Sequence, residues 1–167
     1  LKGLLAYVLA LLAACSGKGL DGSLYRNGGV AFRIGLVPTE WRRIDMKDVS
    51  LAFRDDAHEA TIFVNARCGA PDDDAPLGAL TAHLLMGTTD REFLTEETVS
   101  FDAREAKHSV LHAKLDGVLM AYDVYVMKKN GCIYDLVLVA APETFAQSAA
   151  AFERFAVAFH ANGAGAS

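Results

Sequence analysis

The stretch Cys132-Ile133-Tyr134-Asp135-Leu136-Val137-Leu138-Val139-Ala140 decides the fold. Its inner run, Leu136-Val137-Leu138-Val139, is continuously apolar, the pattern of a central strand buried on both faces. Such a strand needs neighbours at both sides and cover above and below. Upstream, Val118 to Met127 reads as a strand joined to it through the turn Asn130-Gly131. Ser109 to Leu115 reads as another, joined through Asp116-Gly117, a strong hairpin signal. Phe93 to Phe101 precedes them. Earlier still, Ala60 to Cys68 and Val49 to Phe53 flank the polar turn Arg54-Asp55-Asp56-Ala57-His58. Val30 to Val37 alternates, with Phe32, Ile34 and Leu36 on one face and Arg33 on the other, until Pro38 ends it.

Two helices supply the cover. Leu77, Leu80, Leu84 and Leu85 share one helical face, with Asp74 and Pro76 suited to the start and Gly87-Thr88-Thr89 to the stop. Pro142-Glu143 opens the second, whose face is lined by Phe145, Phe152, Phe155, Ala156 and Phe159 up to Gly163. The fold class is therefore α+β: an antiparallel sheet of about six to seven strands flanked by helices.

The order β-β-β-α-β-β-β-β-α resembles the Mog1/PsbP-like fold. The matching pieces are Gly29-Val30-Ala31-Phe32-Arg33-Ile34 followed by Pro38 and Trp41, the helix Leu77–Leu85, the Asp116-Gly117 hairpin and the aromatic helix Phe145–Phe159. The resemblance covers residues 24–161 and is one of pattern, without a signature motif. It implies an α/β/α sandwich and a non-catalytic binding or assembly role, and names no partner.

A separate signal stands at the N-terminus. In LKGLLAYVLALLAAC, Lys2 provides a positive residue, Leu4 to Leu12 an apolar run, and Leu12-Ala13-Ala14-Cys15 small residues ending in a thiol. The run is short for a transmembrane helix, which needs about 20 apolar residues, and fits an export signal core of roughly 7–15. The tetrapeptide resembles a lipobox, which implies cleavage after Ala14 and acylation of Cys15. Two or more acyl chains anchor stably where one does so marginally. The expected organisation is a signal peptide at 1–14, a lipidated cysteine and flexible tether at 15–23, the domain at 24–161 and a disordered tail at 162–167. Ser16 after the cysteine, in place of an aspartate that would resemble an inner-membrane retention signal, favours the outer membrane facing the periplasm.

Composition narrows the partners. The chain has 167 residues; beyond Ala14 it carries 15 basic against 21 acidic residues, a net charge of −6. That balance disfavours nucleic acid, which attracts basic faces, and equally disfavours a polybasic membrane-surface patch. Cys68 and Cys132 are the other two cysteines. In an oxidising compartment they can form one bridge or stand as separate thiols.

Catalytic signals are weak. His108 and His112 form an HxxxH pair, but on a strand four residues span about 13 Å, too far for one ion held at about 2 Å by each. Asp72-Asp73-Asp74 lacks the spacing of a calcium loop. The chain has no Gly-x-Ser-x-Gly elbow, Walker loop or CxxC pair. No metal and no cofactor beyond the covalent lipid on Cys15 is expected. Trp41, Arg42 and Arg43 are candidate partner contacts, although a lone Trp near a strand end more often plugs a core edge. The leading expectation is a lipid-anchored, non-catalytic envelope module that binds a protein partner. A periplasmic small-ligand carrier and a lipid-anchored hydrolase are the alternatives. The anchor has a direct test: Cys15→Ser abolishes incorporation of a fatty-acid analogue in metabolic labelling and leaves an uncleaved precursor, whereas undiminished label would overturn it.

Overall fold

The computed structural model describes residues 19–69 and 74–162. Within them the order is β1 (Gly19–Asp21), β2 (Leu24–Asn27), β3 (Val30–Arg33), β4 (Arg42–Ile44), β5 (Leu51–Asp55), β6 (Ala60–Cys68), α1 (Leu77–Leu84), β7 (Thr88–Phe101), β8 (Arg104–Leu115), β9 (Val118–Lys129), β10 (Cys132–Ala140), α2 (Phe145–Val157) and β11 (His160–Asn162). Two antiparallel sheets result. The larger has the order β4-β5-β6-β10-β9-β8-β7, and the smaller β1-β2-β3-β11.

β10 occupies the middle of the large sheet, between β6 and β9, and its alternation divides the interior in two. Tyr134, Leu136 and Leu138 enter one core, with Ile62, Val64, Phe152 and Phe155. Ile133 and Val137 enter the other, with Leu80, Leu111, Val124 and Val126. Opposite pleats point to opposite faces, so α2 and α1 cover opposite sides of the sheet. The expected α/β/α layering is present.

The helix ends are set locally. α1 closes where Gly87 adopts φ +91°, and Thr88 Oγ1 and Arg91 Nη2 both donate to the carbonyl of Leu85. These side chains satisfy an acceptor that the helix itself leaves open. The chain stops being a strand after Arg33 because Gly35 lies directly on α2. A Cβ there would stand 2.4 Å from the Arg154 carbonyl, so this backbone contact requires glycine.

Four expectations are corrected. Gly19–Asp21, placed in the flexible tether, pair with Leu24–Arg26, so the ordered domain begins by Gly19 and not at Leu24. β4 was missed, being only three residues with two charged side chains among them. The last helix ends at Val157, not near Gly163, and Asn162, assigned to the tail, pairs with Ala31 in β11. Asp102 explains that exchange: Ala161 N–H donates to its Oδ2 at 2.8 Å, His160 Nδ1 lies 2.6 Å from Oδ1, and Lys129 Nζ binds Oδ2 at 2.9 Å. The strand from Val30 belongs to the small sheet instead of the large one. Cys15, Asp72, Asp73, Gly163 and the rest of 163–167 lie outside the described residues.

The aromatic stripe faces the sheet. Phe152, Phe155 and Phe159 are buried, and Phe145 is partly so. Phe159, just past the helix, sits 5.5 Å from Phe32 of the small sheet and 6.0 Å from Phe101 of the large one, joining the two. Truncating a buried Phe costs about 3–5 kcal/mol. Because domains of this size hold only about 5–15 kcal/mol, Phe152→Ala lowers the chemical denaturation midpoint clearly. An unchanged midpoint would mean that the stripe is not core.

Candidate binding surfaces

β8 and β9 carry the polar cluster nearest to catalytic composition. His108 pairs across the strands with Glu97 and Tyr125. Its Nε2 lies 2.8 Å from Asp123 Oδ1, its Nδ1 lies 3.4 Å from Glu97 Oε1, and its ring stacks on Tyr125 at 4.1 Å. Both ring nitrogens face carboxylates, an arrangement that favours the doubly protonated ring. The hydrogen bond to Asp123 accordingly raises the His108 pKa against the opposing effect of burial. In its protonated form the ring has no lone pair for a substrate proton or a metal. Tyr125 is pushed up to about 12 by burial, and further by the charges of Asp123, Glu153 and Glu97. His112 lies half-buried in the same strand, opposite Glu92.

A second buried carboxylate interrupts the apolar run of β10. Asp135 accepts from Arg67 Nη1 at 2.9 Å and more weakly from Asn65 Nδ2 at 3.4 Å, both on Oδ2. Burial pushes its pKa up, partly offset by Arg67. The pair ties β6 to β10 on the α1 side, next to the end where Cys132 stands opposite Cys68 in register and the two are joined by a disulfide.

The expected contact residues divide. Trp41 is buried in the core packed under α2, at the end of a turn in which its backbone N–H donates to the Pro38 carbonyl at 3.0 Å. Arg42 is exposed and pairs with Asp56 through Nε at 2.6 Å. Arg43 is exposed too. Asp74 is exposed at the approach to α1.

Among the described residues, two open surfaces bear on function. One is β7, fourteen residues long at the edge of the large sheet, exposed along nearly its whole length and carrying Phe93 and Leu94. Register shifts between Thr89 and Glu92 and between Phe93 and Thr95 bend it. The sequence foretold the strand from Phe93 but neither its earlier start nor its edge position. The other is a solvent-open groove of about 790 Å³ on the α1 side, lined by Leu77, Thr98, Ser100, Arg104, Glu105 and Lys128 among others. Among the described residues no three His, Cys, Asp or Glu side chains are grouped to hold a metal, and no helix is long and apolar enough to cross a membrane.

No protein-family model matches the chain, and no curated protein matches it in sequence. Solved structures do. Cyanobacterial PsbP from Synechocystis sp. PCC 6803 superposes with a TM-score of 0.59 at 19% identity, over 90% of this chain and 99% of its own. The chain has the Mog1/PsbP-like fold. LpqN of Mycobacterium tuberculosis, described as involved in cell envelope biogenesis, gives a TM-score of 0.59 at 14% identity over 81% of this chain and 86% of its own. The Saccharomyces cerevisiae Ran-binding protein Mog1p gives 0.54 at 12% identity, over 80% and 90%. At these identities the Mog1/PsbP-like likeness is one of fold.

The His108 cluster has a pH signature. Its folded pKa lies above the unfolded value of about 6.5, so the stabilisation is fully present below that pH and is lost as pH rises through the folded value. The gap in denaturation midpoint between the wild type and His108→Gln is therefore widest near about pH 6 and narrows toward about pH 9. A gap constant over that range would show that the imidazolium contributes nothing.

Proposed function

We propose that this chain is a lipid-anchored, non-catalytic module of the cell envelope that binds a protein partner along β7. The observation that carries this reading is the exposed fourteen-residue edge. Exposed edge strands present unpaired N–H and C=O groups, and proteins ordinarily keep them short, covered or charged. Here Asp90, Glu96 and Glu97 are held against Lys114, Lys107 and His108, while Phe93 and Leu94 stay exposed in the middle. An extended partner segment adds to such an edge through main-chain hydrogen bonds and gains specificity from alternate side chains. The export signal and Cys15 support the envelope setting, as does the cross-link between Cys68 and Cys132, which suits an oxidising compartment. The involvement of LpqN in cell envelope biogenesis and the Ran binding of Mog1p are compatible with binding as the use of this fold.

A second reading, a small-ligand carrier, is favoured by the α1-side groove. Its wide opening and its mix of Arg104, Glu105 and Lys128 differ from the mostly apolar enclosure of a typical ligand pocket. Photo-crosslinking in intact cells separates the readings. A crosslinker at Leu94 gives a discrete protein adduct, one at Glu143 gives none, and Phe93→Glu removes the Leu94 adduct without lowering the denaturation midpoint. No adduct at Leu94, together with saturable small-molecule binding blocked by a bulky side chain at Ser100, would replace the first reading with the second.

A further inference from the structure

The cross-link between Cys68 and Cys132 stands at the last pair of the β6–β10 ladder. The ladder does not depend on it. Seven further register pairs, from Ile133 with Arg67 to Val139 with Thr61, align the same two strands. Just past the cross-link, the Gly69 N–H donates to the Gly131 carbonyl at 3.1 Å. Backbone contacts therefore flank the two cysteines on both sides and hold them face to face whether or not their sulfurs are bonded.

The two cysteines differ in access. Cys68 is exposed, at the C-terminal end of β6. Cys132 is 4% exposed and belongs to the core under α2. A solvent-open pocket of about 290 Å³, lined by Cys132 with Lys129, Asn130 and Gly131 among others, adjoins it at the β9–β10 turn. Thiol exchange begins at the sulfur that a thiolate can reach, and exposed disulfides are labile where well-protected structural ones resist reduction. The point of entry is therefore Cys68 Sγ.

Each sulfur also stands beside an acceptor that a disulfide cannot use. The carbonyl oxygen of Gly29, in the turn between β2 and β3, lies 3.5 Å from Cys68 Sγ, and that of Asn130 lies 3.8 Å from Cys132 Sγ. A thiol is a weak donor, and a disulfide sulfur has no proton to give. Once reduced, both S–H groups have a partner in place. The site suits the dithiol as well as the disulfide, and passage between them needs no rearrangement of the strands.

We propose that Cys68 and Cys132 are a reversible dithiol–disulfide couple, opened at Cys68 by a protein dithiol of the Cys-x-x-Cys class, whose first thiol is a thiolate near neutral pH. That thiolate attacks Cys68 Sγ and forms a mixed disulfide. The bond between Cys68 and Cys132 breaks, its electron pair passes to Cys132, and the Cys132 thiolate takes a proton from water in the adjoining pocket. The second thiol of the external pair loses its proton, attacks its own bridged partner and releases Cys68, which is protonated in turn. Two electrons have moved: the external pair ends as a disulfide and this chain as two thiols. Run in reverse, the same steps re-form the cross-link. The couple is independent of what β7 binds.

The full chain, folded and without denaturant, is treated with reduced dithiothreitol, and its alkylated cysteines are located by mass spectrometry. Cys68 and Cys132 both become alkylatable, amide hydrogen exchange along 61–67 and 133–139 keeps its protection, and oxidised dithiothreitol restores the cross-link. A thioredoxin whose second Cys-x-x-Cys cysteine is changed to serine leaves its adduct on Cys68. The Cys68 thiol of Cys132→Ala reacts with a soluble disulfide about tenfold faster than the Cys132 thiol of Cys68→Ala. A cross-link reduced only in denaturant, lost protection along those strands on reduction, an adduct on Cys132 or equal rates in the two variants would overturn the proposal and leave the bridge as a structural staple.

Discussion

A strand buried on both faces must satisfy its backbone within the sheet and its side chains on two sides at once. β10 meets both demands, through eight register pairs with β6 and nine with β9, and through Leu136 and Leu138 on one side and Ile133 and Val137 on the other. α2 and α1 follow from this: each is the apolar lid for one side of the same strand. Asp135 is the exception within β10, held by Arg67 because removing the partner of a buried charge is far costlier than burying the pair.

The covered part of the sheet and its uncovered part differ in kind. On the α2 side of the sheet, aromatic rings run almost continuously from Tyr25 through Phe32 and Phe159 to Phe101, the last residue of β7, and Tyr125. Toward β7 the interior gives way to His108 and its two carboxylates, and then to exposed strand. The aromatic side is where the domain is held together. Most of β7 is surface that the domain has to offer, and among the described strands its sheet neighbour is β8.

Long apolar patterns were legible in the sequence. Leu136–Val139 revealed the central strand, the Phe152-Phe155-Phe159 spacing revealed the covering face of α2, and Asn130-Gly131 and Asp116-Gly117 located two hairpins, each through a left-handed pair of residues. What stayed hidden depended on distant partners. Gly19–Asp21 has no strand pattern and becomes a strand only against β2, and His160–Asn162 continues the α2 pattern until Asp102, 59 residues from Ala161, captures its backbone. The surfaces were harder. His108 was visible as one half of an HxxxH pair, but its partners Glu97 and Asp123 lie on neighbouring strands and follow only from register. For Trp41 the sequence favours a plug of the core edge, which its burial matches, and leaves partner contact open only because sequence gives the residue and not the direction in which its ring points.

The pairing of β11 with β3 has a consequence for the order in which the chain acquires structure. β7, β8, β9 and β10 are successive neighbours joined by tight turns, so their contacts are local and form early. His160 must instead find Arg33, and Ala161 must find Phe32, across more than a hundred residues of intervening chain. On a ribosome supplying residues from the N-terminal end, β1, β2 and β3 wait as an unfinished sheet until Asn162 is available. Until then Phe32, on which Tyr25 stacks, lacks Phe159, and the early segment stays open to whatever machinery handles nascent or translocating polypeptide.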